Sequence, residues 1–405
     1  MREVALVGAG MTRFAKHLDR SMKDLARESI ETALRSANVD QNALEAVTVG
    51  NAMAGLITGQ ECIRGQVVLR EMGIGGIPVI NTENACASAA TAFHIAWLYV
   101  ASGMYDVVLA LGMEKLFHED KGKSFAALGS AIDVELMQQT LEKMKTETKD
   151  GSAGAGAGKS RSMFMDFYAE FARDHMRKYG TTKEHFAKIA AKNHTNGSLN
   201  PLAQFQTPRT VEDILASPMI AEPLTRMMCS PIGDGAAAVI LTSAEHAKQL
   251  TSKPVYVKAS VLGSGKDRNP GEPEVTERVA RKAYEVAGIG PEDIQVAEVH
   301  DASSPAELII YEELGFCQHG EGGRLVDEGA TALGGRLPVN PSGGLLAKGH
   351  PVGATGIAQI AEIFWQLRGE AGKRQVQGAK VGLTENGGGM VRGEAAAVAV
   401  HILTV

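Results

Sequence analysis

The sequence has few cysteines, few aromatic residues and no excess of basic side chains. Its 405 residues carry a formal net charge of -6, and only 5% of them are aromatic. The four cysteines form no CxxC or CxxH pair, which predicts neither a structural zinc site nor a disulfide framework. They are Cys62, Cys86, Cys229 and Cys317. Because a basic stripe is missing, nucleic-acid binding is not expected, and an anionic ligand would have to meet a few local lysines, arginines or helix N-termini.

Long apolar runs are also missing. No stretch reaches the ~18 uninterrupted apolar residues of a membrane span. The N-terminus enters a strand-like run without the order of a signal peptide, and the C-terminal HILTV is neither a peroxisomal nor a retention tag. These absences, together with the scattered cysteines, favour a cytoplasmic setting and no membrane partner.

The chain does contain a regular alternation of strand-like and helix-like segments, which predicts mixed α/β layers. Its two halves resemble each other weakly: LEAVTVGNA matches IQVAEVHDA, and YDVVLALGMEK matches AKVGLTENGGG. A duplicated α/β unit explains both parallels. The polar, Met-rich segment 117–218 is predicted to be an inserted helical loop domain that covers an active-site face. The predicted halves are 1–116 with 219–246, and 247–405.

Cys86 lies in NTENACASAATAFH, where a strand ends near Ile80 and a helix of small residues is predicted to begin. The positive end of a helix dipole lowers the pKa of a thiol and favours the thiolate. Cys86 is therefore a candidate nucleophile. The alternative is a buried cysteine that packs as a small hydrophobic residue.

Two histidines lie at similar junctions. His350 lies in SGGLLAKGHPVGATG, where the flanking glycines let the backbone bend and bring an imidazole to a cysteine as its base. His300 ends a strand in VAEVHDAS, a position suited to polarising a carbonyl in the crevice of an α/β sheet. The alternatives are a capping histidine at position 350 and a core histidine held by Asp301 at position 300.

The motif LTENGGGMVRG places Glu385 two residues before three consecutive glycines. Backbone N–H groups of such a loop can point at a developing oxyanion, and burial would raise the pKa of Glu385 enough for acid–base work. The alternative is an ordinary hairpin turn. All four motifs fall at equivalent strand ends of the duplicated unit, and such ends converge on one face of an open α/β sheet.

In the order ENACASA, VHDAS, GHPVGATG and a Gly-rich final loop, the sequence resembles the thiolase family, above all its sterol-carrier-type and archaeal-bacterial branch. The resemblance covers nearly the whole chain. It implies an α/β thiolase fold with the duplicated unit in five layers (α-β-α-β-α). It also implies reversible Claisen-type acyl transfer between CoA thioesters, with CoA as a substrate and with no metal or permanently bound cofactor.

The resemblance assigns roles residue by residue. Cys86 would attack an acyl thioester, His350 would activate Cys86 and help bind an oxyanion, and His300 would polarise the thioester oxygen of the second substrate. The backbone N–H groups of Cys86 and Gly388 would form the other oxyanion site. Relatives carry cysteine or histidine where this chain has Glu385, which would act as acid and base or would indicate a different substrate or impaired catalysis.

Three alternatives remain open for the function. The chain could be a thiolase of aromatic degradation such as benzoylsuccinyl-CoA thiolase, since the sequence does not fix the acyl chain. It could be a non-catalytic thiolase-like subunit that binds acyl-CoA or holds a complex together. It could be a condensing enzyme that uses an acyl-carrier protein, although GHPVG weighs against this. The resemblance also implies a C2 homodimer paired through the edge strand PVINTEN, and a small OB-fold, zinc-ribbon partner chain.

Several other motifs are not interpreted as sites. VGAGMTRF has Arg13 where the third glycine of a dinucleotide fingerprint belongs, and SAGAGAGKS has Ala153 at the first glycine of a phosphate loop. His175, His185 and His194 lack ligand spacing and are predicted to be surface residues.

Overall fold

The computed structural model describes residues 1–137, 162–269 and 271–405, and the motif SAGAGAGKS lies outside them. Among these residues, no helix is both long and apolar enough to cross a bilayer. The strands of the described residues are β1 (Val4–Met11), β2 (Ala46–Gly50), β3 (Val79–Thr82), β4 (Val107–Glu114), β5 (Met219–Ala221), β6 (Leu224–Thr225), β7 (Gly235–Ser243), β8 (Val255–Ser264), β9 (Val296–Glu298), β10 (Val381–Gly388) and β11 (Ala397–Thr404).

The helices alternate with these strands, as the sequence predicts. They are α1 (Met22–Ala37), α2 (Ala54–Thr58), α3 (Arg64–Glu71), α4 (Ser88–Ala101), α5 (Lys121–Leu128), α6 (Phe164–Tyr179), α7 (Lys183–Ser198), α8 (Val211–Ala216), α9 (Ala244–Leu250), α10 (Val275–Ala287), α11 (Ser304–Glu313), α12 (Gly322–Asp327), α13 (Gly344–Ala347) and α14 (Thr355–Arg368). Local chemistry fixes several ends. The Ser21 side chain, for example, caps α1 in a reciprocal box with Asp24.

Nine strands form one sheet in the order β3-β2-β4-β7-β1-β8-β11-β10-β9. Between β1 and β8 only two residue pairs connect, which divides the sheet into two parts. In each part, parallel strands are followed by two strands in antiparallel pairing. In the first part, β3 pairs in parallel with β2. In the second part, a parallel bridge between Val339 and Ala297 occupies the equivalent place. The same topology therefore occurs twice, as the weak internal match of the sequence predicts.

Helices α4 and α14 form the central layer between the two parts of the sheet. They contact each other and strands of both parts, while α1 packs outside β1 and β7, and α10 packs outside β8 and β11. Both central helices are buried along most of their length, because their residues are small or apolar. A Cβ at Gly356 of α14 would clash with the backbone of Ala90 in α4, so glycine is required for this close crossing. The result is the five-layer order α-β-α-β-α.

Helices α5 to α8 and the hairpin β5–β6 cover one end of this core. Helix α6 packs on α11, and α7 packs on α11 and α13. We retain as a proposal the predicted division into 1–116 with 219–246, 117–218, and 247–405. Its basis is that α6 and α7 lie across the second half and α5 lies against α2 of the first half, while none of the three continues the nine-stranded sheet.

The prediction that three histidines of this region lie at the surface is wrong for two of them. His175 is buried, with Nε2 3.1 Å from the Glu312 carboxylate, because its face of α6 packs against α11. His194 is also buried, and its ring stacks on Phe205 at 5.9 Å. His185 is partly exposed, beside Asp327.

Candidate active site

Cys86 sits in a tight turn between β3 and α4. A 3₁₀ turn at Ala85–Ala87 precedes the helix, which begins at Ser88 and not at Cys86 itself. Ala85 has a left-handed φ of 48°, and the Ser88 hydroxyl fixes the bend by accepting from Asn84 N and donating to Ala85 O. The turn thus presents the thiol at the end of β3 and in line with the start of α4.

His350 lies next to this thiol. Its Nε2 is 3.3 Å from Cys86 Sγ, and its Nδ1 is 2.7 Å from Thr355 Oγ1. The Thr355 hydroxyl donates its own proton to Pro351 O at 3.0 Å, so it accepts the proton that Nδ1 carries. This leaves the lone pair of His350 Nε2 facing the Cys86 S–H, which is the tautomer a base requires.

His300, which follows β9, is the third member of the group formed with Cys86 and His350. Its ring meets the His350 ring edge to face at 5.2 Å, and the donor atoms of these two imidazoles and the Cys86 sulfur all lie within 4.8 Å of one another. The Asn386 amide donates to His300 Nδ1 at 2.9 Å, which leaves Nε2–H as a donor. No role for Thr355 or Asn386 was predicted from the sequence, although they lie within GHPVGATG and LTENGGG.

The alternative interpretation of His300, a core histidine held by Asp301, is wrong, because the Asp301 carboxylate is hydrogen-bonded to other groups. This carboxylate accepts from Leu345 N at 2.6 Å and from the Asn193 amide at 2.7 Å. Asp301 thereby ties α7 and α13 to the end of β9. These contacts hold the backbone five residues before His350, and the Asp301 carboxyl group is not the partner of His300.

Glu385 lies on β10 beside His300. Its Oε2 accepts from His300 N at 2.9 Å, and burial raises the pKa of this carboxyl to about 7. The hydrogen bond from His300 opposes that rise. The alternative of an ordinary hairpin turn is wrong, because residues 385–388 belong to the strand and pair with β11 in regular register.

The glycines after Glu385 bring the strand against the Cys86 turn. A Cβ at Gly388 would overlap Asn84 O and the Ala87 backbone, so only glycine allows this approach. The backbone N–H of Gly389 lies beside the sulfur and lowers the pKa of Cys86 somewhat. The predicted oxyanion donor Gly388 pairs in register with Ala397, and its donor function remains a prediction.

The thiol and both imidazoles are neutral in the resting site. Burial raises the pKa of Cys86 to about 12, and the carboxylates of Glu114 and Glu83 contribute to the rise. Burial lowers the pKa of His300 to about 4 and holds the pKa of His350 well below its usual range. The expectation that the helix start yields a resting thiolate is therefore wrong, because burial and neighbouring carboxylates outweigh the dipole.

A cavity of about 1650 Å³ opens above the four predicted residues and is lined by all of them. Basic side chains line one part of it, although the chain as a whole is acidic. Of the eight lysines and arginines that line the cavity, Arg13, Lys16, Lys121 and Arg209 are the ones considered for this part. The Lys16 ammonium lies over the Phe117 ring at 4.9 Å. This part of the cavity suits an anionic ligand that also carries a planar group.

A cysteine with an imidazole base, a second imidazole that donates, and a carboxyl that titrates near neutrality define a cysteine-dependent acyl-transfer site. The family model "Thiolase, N-terminal domain" matches residues 4–245, and "Thiolase C-terminal domain-like" matches residues 266–401. The chain belongs to the thiolase family, with the thiolase fold. It is an acyltransferase that takes CoA as a substrate.

Several relatives resemble the chain over almost its full length. "Acetyl-CoA acetyltransferase" of Methanothermobacter thermautotrophicus is 43% identical, with 100% of both chains covered. "Sterol carrier protein 2" of Oryctolagus cuniculus is 39% identical over 95% of this chain and 69% of that protein. "Benzoylsuccinyl-CoA thiolase subunit BbsB" of Thauera aromatica is 36% identical over 96% of each. The branch indicated by the sequence motifs is thus confirmed.

Among solved structures, the one described as "Ltp2-ChsH2(DUF35) aldolase" matches with a TM-score of 0.78 and 27% identity. The match covers 100% of this chain and 98% of that one. The fold is therefore shared with a solved structure over the whole chain.

Proposed function

We propose that the protein cleaves or forms 3-oxoacyl-CoA through an acyl group carried on Cys86. The observation that supports this most is the 3.3 Å contact between His350 Nε2 and Cys86 Sγ, with the imidazole tautomer set by Thr355. The sulfur attacks the 3-oxo carbon of the substrate while Nε2 takes its proton. Neutral partners suffice for this step, because the proton moves as the new C–S bond forms.

Cleavage then follows from the geometry around the tetrahedral adduct. Its oxyanion collapses, the bond between the α- and β-carbons breaks, and acetyl-CoA leaves as an enolate. The Nε2–H of His300 stabilises the enolate oxygen. Glu385 in its acid form delivers the proton to the α-carbon, since its raised pKa keeps a share of it protonated at neutral pH.

The second half of the reaction releases the acyl group. CoA enters with its thiol toward the acyl-enzyme, and the Glu385 carboxylate takes the thiol proton. The new thioester forms as Cys86 leaves and recovers its proton from His350. Both groups thus return to their starting forms, and the reverse sequence performs Claisen condensation. Splitting the transfer into two steps lowers each barrier.

The basic part of the cavity supports a site for the nucleotide end of CoA. Arg13 and Lys16 follow β1, and Lys121 begins α5 near Phe117. Their charges suit the phosphates of CoA, while aromatic rings such as Phe117 and Phe205 offer faces to its adenine. No residue of this set was identified as CoA-binding from the sequence.

We also propose a C2 homodimer and a smaller partner chain. Strand β3 lies at the edge of the nine-stranded sheet and pairs only with β2 among the described strands. An unpaired edge beside the nucleophile is suited to continuing the sheet into a second copy. The solved structure named Ltp2-ChsH2(DUF35) aldolase contains a DUF35 component by its name, which supports the proposal of a second chain; the small OB-fold, zinc-ribbon form of that partner is what the family resemblance implies.

A cytoplasmic setting is part of the proposal. The four cysteines are free thiols, and one of them is the proposed nucleophile. A reducing compartment would keep that thiol in its reactive form.

Acyl transfer to Cys86 can be tested directly. The protein is incubated with acetyl-CoA and with 3-oxoacyl-CoAs, quenched in acid and digested, and the acylated peptide is identified by mass spectrometry. Acylation is expected on Cys86, with none in Cys86→Ala and normal acylation in the matched control Cys229→Ala. An acyl group found only on other cysteines, or on none, would overturn the mechanism and favour a non-catalytic acyl-CoA-binding subunit.

A further inference from the structure

One branch of the cavity is lined by aromatic side chains of a single helix. Phe164, Tyr168 and Phe171 of α6 all line the cavity, and they follow the i, i+4, i+7 spacing of one helix face. Tyr168 and Phe171 meet edge to face at 6.4 Å. Such a stripe usually belongs to a core, but here the buried residues of α6 are Met165, Ala169, Ala172 and His175. The aromatic stripe is only partly buried and faces open space.

Helix α11 provides the opposite wall of this branch. Ala306, Ile309 and Ile310 line the cavity from that side, and α6 packs on α11. Glu312 and Glu313, at the C-terminal end of α11, also line the cavity, so its apolar part is limited to the earlier turns of that helix. The whole chain contains 11 phenylalanines, seven tyrosines and two tryptophans. Seven of these aromatic residues line the cavity, which concentrates a scarce residue type around the reaction centre. An open apolar cavity lacks the packing contacts that a filled core would have. Its presence in the fold therefore indicates a ligand that fills it.

Tyr168 links this branch to the chemistry. Its hydroxyl has no hydrogen-bond partner among the described residues, and Tyr168 lines the same cavity as Cys86 and Glu385. Burial raises the pKa of Tyr168 well above its usual range, so the hydroxyl stays protonated and available as a donor. The ring of such a residue can pack on an apolar acyl group while its hydroxyl meets the carbonyl of that group.

Resting on the thiolase function proposed above, we propose that the branch between α6 and α11 is the acyl pocket and that it selects an aromatic-sized apolar acyl group over acetyl. The reaction would convert an aryl 3-oxoacyl-CoA and CoA into an aroyl-CoA and acetyl-CoA. The Cys86 sulfur forms a thioester with the aroyl carbon as the bond between the α- and β-carbons breaks. The enolate carbon takes a proton, and CoA then displaces the aroyl group.

The test compares benzoylacetyl-CoA with acetoacetyl-CoA in thiolysis by the full-length protein. Wild type is expected to favour benzoylacetyl-CoA in kcat/KM. Ile309→Trp, which narrows the pocket from α11 at a partly exposed position, should lower kcat/KM for that substrate by about 10- to 200-fold and change the acetoacetyl-CoA value by less than about threefold. Val286→Trp adds the same bulk at a 47% exposed position of α10 outside the cavity, and should alter neither value.

A second variant covers the case in which Ile309→Trp does not fold. Phe171→Leu removes one ring of the stripe and should reduce the preference for benzoylacetyl-CoA in the same direction. The pocket assignment is overturned if wild type prefers acetoacetyl-CoA, or if the variants lower both values equally at unchanged melting temperature. Acylation of Cys86 by acetoacetyl-CoA alone rejects the pocket and leaves the thiolase function standing. Acylation by neither substrate rejects both.

Discussion

The Glu385 carboxylate accepts a hydrogen bond from the backbone N–H of His300 at 2.9 Å. This contact joins the middle of β10 to the segment just after β9 and holds a carboxyl group beside the imidazole proposed to bind the enolate. The hydrogen bond shows how glutamate is accommodated there: one oxygen is anchored to the backbone, and the other oxygen is left for proton transfer.

Replacing Glu385 with glutamine tests proton transfer by this residue while the size of the side chain stays nearly constant. Glu385→Gln keeps the oxygen that accepts from His300 N but removes the acidic proton. Attack of Cys86 on a 3-oxoacyl-CoA and cleavage of the bond between the α- and β-carbons should survive, because these steps depend on His350, whereas overall turnover should fall by about 10²–10⁴-fold. Burst kinetics and steady-state turnover would measure the two steps. Near-normal turnover in both directions, at an unchanged melting temperature, would remove Glu385 from the mechanism.

The tautomer of His350 depends on a single hydroxyl group. In Thr355→Val, Nδ1 loses its acceptor while the side-chain volume stays nearly constant. An unsatisfied buried donor costs about 1–3 kcal/mol, which corresponds to about 5- to 150-fold in rate. The loss should appear in the rate of Cys86 acylation, measured by rapid quench. Thr355→Ser retains the hydroxyl and should recover most of the rate; equal loss in both variants would point to packing instead.

The meeting of the four predicted catalytic side chains could be inferred from the sequence, because equivalent parts of a duplicated α/β unit converge on one face. Cys86 and His300 follow β3 and β9, Glu385 lies within β10 and His350 follows α13, yet all four line one cavity. The outer hydrogen bonds could not be inferred in this way, since Thr355 and Asn386 lie in motifs that also contain better-known residue types. Their roles depend on atomic distances that no spacing rule provides.

Charge and burial were harder to predict than position. The helix start next to Cys86 indicates a lowered pKa, but the carboxylate of Glu114 comes from another strand, and its contribution is visible only in three dimensions. The buried face of α6 likewise depends on its contact with α11, so that His175 is buried despite its polar sequence context. Fold class and site position thus follow from local patterns, whereas electrostatics follows from the assembled core.

Assembly through β3 can be tested at the level of single N–H groups. Val47 N donates to Pro78 O and Asn51 N donates to Thr82 O, so the even-numbered residues of β3 face β2 and the N–H of Val79 faces outward. Val79→Pro removes that outward donor and leaves the β2–β3 ladder intact. Light scattering should show a dimer for wild type and for Val79→Ala, and a monomer for Val79→Pro. A wild-type monomer at micromolar concentration would contradict the proposed C2 pairing.

The thiol of Cys86 should remain protonated in the free enzyme throughout the neutral range. Burial raises its pKa to about 12, and the same burial keeps His350 uncharged, so no ion pair stabilises a thiolate. A thiol loses its proton above its pKa, and the alkylation rate by iodoacetamide should therefore climb steadily from pH 6 to pH 10 without a plateau.

The modified residue is identified by peptide mapping, with Cys62, which is exposed, as the internal reference. A plateau below about pH 8 at Cys86 would reveal a stabilised thiolate and would restore the helix-dipole interpretation. Because acylation does not require a resting thiolate in the proposed mechanism, the acylation rate should depend on pH much less steeply than the alkylation rate does.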